Sequence, residues 1–476
     1  MSGRIRTEIV SGKCIKPTSP TPPHLKFFKL SLLDQLSPNI HHNFTLFFPS
    51  SSAASHGGDD PLSQFSSKSQ LLQNSLSQTL TRFYPLGGRL RDAATIDCND
   101  HGAIYIEAHV HSSLHNFLTN PDFDTLQHFL PPFDKQLMEF SSSNCSLLFV
   151  RFTWFACGGT ALSVSLSHKL ADLPAFNALL HYWTATCRGS PPPDVPDLGL
   201  GPSRLPPREI PEIIPASVNI RAEKLTTRRF SFPAPNVEEL KRRIVTALFG
   251  RDNNNNKFQF QPSRVEVVLA LIWRCATSAR TSKTGSFMPS AMFRALNLRP
   301  RMEPPVPSTA IGNFMWPLAV TVEEESESNL HVMVKKMRKR MKEFVEKEKK
   351  KLEEEGGLFE MAMEYMREKE EMMKGKEIVV YECWSWSKNE MLEVDYGWGN
   401  PVCMSNVDRK MKNTVTLTEG RDGGVEALVT LDEQEMDLFI RHHELLQFSR
   451  KGCMRARQVC VVRVIEYGSS ALRQWT

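Results

Sequence analysis

LLFVRFTWFACGGTALSVSLSHKLADLPAF, residues 147 to 176, is the stretch from which the fold class can be read. Leu147 to Phe155 reads as a strand and Cys157-Gly158-Gly159 as a turn, and Leu162, Val164 and Leu166 alternate as a returning strand. Asp172 then precedes Phe176, Leu179, Leu180 and Trp183 at helical spacing, with Pro174 tolerable in the first turn. A hairpin running straight into a helix predicts mixed α/β structure. His168 sits just past the end of the second strand, four residues before Asp172.

The same reading extends in both directions. Upstream, after the proline-rich KPTSPTPPH, Leu71 to Phe83 reads as a helix ending before Tyr84-Pro85-Leu86-Gly87-Gly88, and Ala103 to His109 as a strand. Downstream, Pro191 to Pro215 (PPPDVPDLGLGPSRLPPREIPEIIP) is too rich in proline for strand interior or helix, and reads as an interdomain linker. Its GxG follows no strand and opens no helix, so it is no nucleotide loop. The second half begins with a strand, Arg228 to Phe232, and a helix from about Asn236, followed by a polar loop at Asp252 to Asn256. Ser263 and Glu266 form a capping box before Val267, Val268, Ala270, Leu271 and Trp273. Arg294 to Arg299 reads as a strand leading to Pro304-Pro305. Leu330, Val334, Met337, Met341 and Val345 form one stripe of a charged helix that breaks at Gly356-Gly357, its lysines on a solvated face. Glu377 to Trp386 reads as a strand and Thr414 to Thr430 as a hairpin turning at Asp422-Gly423, and Thr430 with Glu433 reads as the start of a last capped helix. The expected division is 1–190, a linker at 191–215, and 216–476.

Bulk numbers narrow the class. A chain of 476 residues with 41% hydrophobic and 23% charged residues has material for two domains. A net charge of +5 is small for this length and gives no reason to invoke nucleic acid. Ten cysteines are scattered singly, without a CxxC pair or a disulfide or zinc spacing, which points to a reducing compartment. The start, MSGRIRTEIVSGKCIKP, lacks the apolar core of a signal peptide, and no apolar run reaches the roughly 20 residues of a membrane span. The expectation is a cytoplasmic protein with neither membrane nor nucleic acid as partner.

The histidine and aspartate pair must be weighed against chance. With fourteen histidines, an aspartate at roughly 6% usage follows one of them by four positions about once. His56 and Asp60 in ASHGGDD are such a pair, in a small-residue loop that holds nothing rigid. His168 is instead bracketed by a strand and a helix, where Asp172 can orient the imidazole, hold the turn or cap the helix. Ser167 adjoins His168, but adjacent residues at a strand end point apart and the chain has no GxSxG elbow, which argues against a serine hydrolase. His41-His42, His109/His111 and His442-His443 lack a third ligand at sensible spacing, so no metal site is expected.

Two motifs give the pair a chemical meaning. HKLAD, 168 to 172, followed by DYGWGNP, 395 to 401, resembles in order and separation the HxxxD and DFGWG signatures of the plant BAHD acyltransferases. Likenesses at 15–35, 82–90, 263–276, 296–307, 311–317 and 429–439 extend this over nearly the whole chain and most resemble the branch that contains vinorine synthase. The resemblance implies two similar-sized mixed α/β domains of the chloramphenicol-acetyltransferase-like type, joined by a crossover loop, with an active-site channel between them. It implies a monomer without metal or tightly bound cofactor, using an acyl-CoA, acetyl-CoA foremost, and a small-molecule alcohol. His168 would be the general base, and Asp172 would orient the site by pairing with Arg299. Asp395, Gly397, Trp398 and Gly399 would be structural. Trp384 stands, in ungapped alignment, where many relatives carry a serine or threonine proposed to steady the oxyanion, which leaves Ser385 or Trp386 for that task. Leu173 replaces a common glycine, and Tyr396 a phenylalanine. The alternatives are an N-acyltransferase acting on an amine, or a catalytically weak binding or regulatory protein on the same scaffold.

Overall fold

The computed structural model describes residues 7–50, 61–119, 123–131, 146–192, 194–210, 224–250, 260–352, 354–373, 378–386, 390–405, 411–420 and 423–451. The strands are β1 (Thr7–Ile15), β2 (Phe27–Lys29), β3 (His41–Phe48), β4 (Arg89–Asp92), β5 (Thr95–Asp97), β6 (Ala103–Val110), β7 (Leu148–Phe155), β8 (Thr160–Ser167), β9 (Leu225–Phe232), β10 (Ser290–Asn297), β11 (Met315–Val322), β12 (Val379–Trp386), β13 (Cys403–Ser405), β14 (Thr414–Glu419), β15 (Val425–Asp432) and β16 (Arg450–Lys451). One sheet runs β1-β6-β7-β8-β3-β13, a second β11-β10-β12-β14-β15-β9-β16, and a small third β2-β5-β4.

The hairpin β7–β8 is the centre of the first sheet. β7 and β8 pair antiparallel from Leu148↔Leu166 to Trp154↔Thr160, around a turn in which Gly158 takes φ +80°. Their core-facing residues join the helices Pro61–Arg82 and Leu173–Cys187 in one apolar cluster. Trp183 is buried in it and donates its indole N–H to Ser75 Oγ at 3.0 Å. The sheets do not divide cleanly at the proline-rich stretch. β13 closes the edge of the first sheet by pairing with β3, and Trp386, Met391, Val394, Tyr396 and Met404 pack into the first cluster.

The second core surrounds the helix Arg264–Thr284, where Val267 through Trp273 are all fully buried. These two turns are buried all round and show no polar stripe, so the helix start is marked by its cap: Ser263 Oγ accepts from Glu266 N at 3.2 Å, and Glu266 Oε2 accepts from Ser263 N at 2.7 Å.

Several expectations are corrected. The helix expected from Leu71 begins at Pro61. The strand expected at Arg294–Arg299 is Ser290–Asn297, and Arg299 lies in a 3₁₀ turn, Arg299–Arg301, that Pro300 favours by fixing φ. The charged helix ends at Glu343, passing into a π turn, Phe344–Glu348, and Phe344 rather than Val345 closes its buried stripe. The proline-rich stretch holds a one-turn helix, Leu200–Arg204, which tolerates Pro202 because no N–H of a first turn has an intrahelical partner. It is also tied down: Asp197 O accepts from Ile311 N at 2.9 Å, and Arg208 N donates to Gln35 Oε1 at 2.9 Å. Cys98, Cys157, Cys187, Cys275 and Cys383 are free thiols, but Cys403 is disulfide-bonded, a pairing that isolated spacings do not foretell. Residues 211–215 of the linker, the loop at 252–256, Glu377, Asp422 and the His56/Asp60 pair lie outside the described residues.

The last cap also moves. β15 continues pairing through Asp432, Thr430 Oγ1 is engaged with Thr227 Oγ1 at 2.9 Å, and Asp432 caps the helix Glu433–Phe439 by accepting from Gln434 N and Glu435 N. Asp432→Ala is therefore expected to lower stability by about 1 kcal/mol, more than Thr430→Ala, as read by thermal melts of the two variants.

Candidate active site

The end of β8 delivers His168 into a bend whose backbone is fixed on both sides. His168 N donates to Ile40 O at 2.8 Å, and Asn313 Nδ2 donates to His168 O at 2.7 Å. Its Nδ1 lies 3.2 Å from Ala171 O. A carbonyl only accepts, so Nδ1 carries the proton and Nε2 is left with the lone pair. No described residue hydrogen-bonds Nε2. Burial holds the His168 imidazole below its ordinary value, against the opposing influence of Asp172. A neutral imidazole with a free lone pair is the form a general base requires.

Asp172 does not touch that ring. Its Oδ1 accepts from Ala175 N at 3.2 Å, capping the helix Leu173–Cys187, and its Oδ2 accepts from Phe314 N at 3.0 Å and from Arg299 Nη1. Arg299 Nη2 donates onward to Ala310 O at 3.1 Å and Gly312 O at 3.2 Å, and the guanidinium lies over the Phe314 ring. Asp172 and Arg299 are 2% and 4% exposed, so the pair is a desolvated tie between the helix after His168 and the 310–314 segment.

Two residues that sequence reasoning passed over complete the frame. Asp34 is buried and receives Ser31 N at 3.0 Å, Asn313 N at 2.7 Å and Asn313 Nδ2 at 2.8 Å. Burial raises its carboxyl to about 6, against these donated bonds. Asn313 thus joins a buried carboxylate to the backbone of His168. The signal was present, since Asp34 and Asn313 lie inside the stretches 15–35 and 311–317 that carried the resemblance, but nothing local marks either as polar core.

The DYGWG residues gather elsewhere. Asp395 Oδ1 accepts from Gly397 N at 2.8 Å and Gly399 N at 2.9 Å, closing a loop in which both glycines take positive φ. Trp398 stacks on Tyr396 at 5.7 Å, and Tyr396 meets Trp183 at 5.1 Å. Arg188 and Cys187 donate to the Asp395 and Tyr396 carbonyls, so the loop fastens to the far end of the helix that starts at Asp172. On β12, alternation puts Trp384 and Trp386 on the face that packs into the first core, with Trp386 5.1 Å from Phe44. Ser385 alternates to the face of Tyr381 and Cys383, which pack in the second core. Leu173 packs against the first core at the start of its helix.

The fold supplies third groups that spacing hid: Glu8 beside His109 and His111, and Cys275 with Glu444 beside His442. In the second trio Glu444 pairs with Arg274 at 2.9 Å, which places a cation where a metal ion would compete.

The Transferase family model matches residues 5–446. The chain is 33% identical to 17,18-epoxy-17-hydroxycur-19-ene N-malonyltransferase of Strychnos nux-vomica, over 93% of this chain and 90% of the relative. It is 33% identical to stemmadenine O-acetyltransferase of Catharanthus roseus, over 90% and 95%. The crystal structure of vinorine synthase superposes with a TM-score of 0.74 at 30% identity, covering 94% of this chain and 99% of that one. No helix of the described residues is long and apolar enough to cross a membrane.

Proposed function

The chain belongs to the Transferase family of BAHD acyl-CoA-dependent acyltransferases, and on that footing we propose that it moves an acetyl group from acetyl-CoA to a hydroxyl of a plant alkaloid or terpenoid. The observation that carries this is the His168 imidazole, its Nδ1 committed to Ala171 O and its Nε2 unengaged among the described residues. Nε2 takes the proton of the acceptor hydroxyl as the oxygen attacks the thioester carbonyl. The tetrahedral oxyanion collapses with departure of the thiolate, and the imidazolium returns the proton to the sulfur. No acyl-enzyme is needed.

Asp172 and Arg299 act as positioning residues, and Asp395, Gly397, Trp398 and Gly399 hold the loop. Between the two oxyanion candidates, the side-chain face of Trp386 favours it over Ser385, and losing such a donor costs about 100-fold in rate. The protein works as a cytoplasmic monomer with no bound cofactor. A second reading, transfer to an amine or from malonyl-CoA, is favoured by the N-malonyltransferase among the relatives.

The test offers purified protein acetyl-CoA or malonyl-CoA with alcohols, amines and plant extract, and measures free thiol. Binding without thiol release would favour a binding or regulatory protein instead. The pH dependence has a definite sign: because burial depresses the His168 imidazole, the base protonates only below its ordinary value of 6.5. The kcat/KM profile should therefore stay level through neutral pH and fall on the acid side, below 6.5. A limb above 7 assigned to His168 would contradict the geometry.

A further inference from the structure

β3 carries two adjacent histidines with opposite fates. His41 is spent, with Nε2 2.9 Å from Ser146 O and its ring edge-on to Phe149. His42 faces the other side, in register with Leu166 of β8, and its ring centroid lies 4.0 Å from that of His168. Burial and the neighbouring His168 hold the His42 imidazole well below its ordinary value, so it stays neutral beside the base. No described residue hydrogen-bonds His42, and neither ring nitrogen is among the buried polar atoms without a partner, so both keep access to free space. Phe44, on the same face of β3, meets Phe176 at 4.8 Å and Trp386 at 5.1 Å, which gives this imidazole apolar neighbours.

A neutral imidazole with unmatched nitrogens, tilted against the ring proposed to receive the acceptor's proton, leaves a polar requirement that the protein does not fill. A ligand fills it by placing a second hydrogen-bonding group next to the hydroxyl that reaches His168. We propose that His42 is a specificity-determining residue that selects acceptors bearing a second hydroxyl or comparable polar group adjacent to the reacting one, on an otherwise apolar skeleton. The proposal rests on the acyl-transfer reading above and adds a substrate class to it. A site that hydrogen-bonds a substrate hydroxyl discriminates against analogues lacking it, because its own polar group is then left unpaired.

The probes are menthol and p-menthane-3,8-diol, which share a skeleton and differ by one hydroxyl near the first. Binding is read from imidazole resonances of histidine-labelled protein, in wild type, His42→Ala and His42→Gln, each checked by thermal melt. Wild type should bind the diol about fivefold to tenfold more tightly than menthol. The preference should vanish in His42→Ala and partly return in His42→Gln, whose amide restores a donor and an acceptor. A general loosening around His168 would weaken both ligands alike. Equal binding by wild type, or an undiminished preference in His42→Ala, overturns the proposal. Thiol release from acetyl-CoA, run separately with His168→Ala as control, tests the reading beneath it. Its absence with every acceptor would remove that reading and this proposal with it, whatever the binding ratio.

Discussion

His168→Ala should lower kcat by about 10²–10⁴-fold, the range over which positioned general bases contribute. Burial already keeps the imidazole neutral, so its removal subtracts a proton acceptor and leaves no charge behind. The fold should tolerate the change. The bonds that hold the bend run through the backbone of residue 168, to Ile40 O and from Asn313 Nδ2, and alanine keeps both. The ring's own bond, to Ala171 O, is local. Acyl-CoA binding should thus change little while turnover collapses, a kcat effect without a matching KM effect. The measurement is steady-state thiol release beside a dissociation constant for acyl-CoA on the same preparation. Turnover that survives the substitution would remove His168 as base.

The hairpin β7–β8 and the capped helix after it were legible because their signals are local. Alternation, a Gly-Gly turn and an N-cap aspartate are set by neighbours in the chain. Terminal boundaries were less legible, because pairing decides them: Thr430 is a good cap by type, but β9 holds it in the sheet and the cap passes to Asp432. The helix Arg264–Thr284 was found from its cap, since the burial of Val267 through Trp273 on every side erases the amphipathic pattern in its first turns. The chemistry around His168 was legible in part. The residues proposed to carry it stand together in HKLAD, whereas Asp34, Asn313 and His42 become polar neighbours only when 31–36, 311–314 and β3 converge on one bend. No spacing encodes that convergence. The same holds for Glu8 beside His109 and His111, paired across β1 and β6.

Breaking the Asp172–Arg299 pair on one side should produce the largest stability effect, about 3–5 kcal/mol. Arg299→Met strands a buried carboxylate on two backbone N–H groups and leaves the Ala310 and Gly312 carbonyls without their donor. Asp172→Asn keeps an oxygen for the Ala175 cap but leaves the guanidinium facing two carbonyls and the Phe314 ring. Denaturant unfolding should rank both single variants well below wild type. The double variant Asp172→Asn/Arg299→Met should recover part of the loss, because it removes both buried charges. A double variant no more stable than the worse single would mean that the pair does not supply the coupling. Activity separates positioning from catalysis. Asp172 makes no bond to the imidazole, so its loss acts by displacement and should lower kcat/KM by about 10- to 100-fold, less than His168→Ala does. Its charge raises the proton affinity of His168, so Asp172→Asn should also move the acid limb of kcat/KM to lower pH. A limb that moved upward would show that Asp172 does not act on the base through its negative charge.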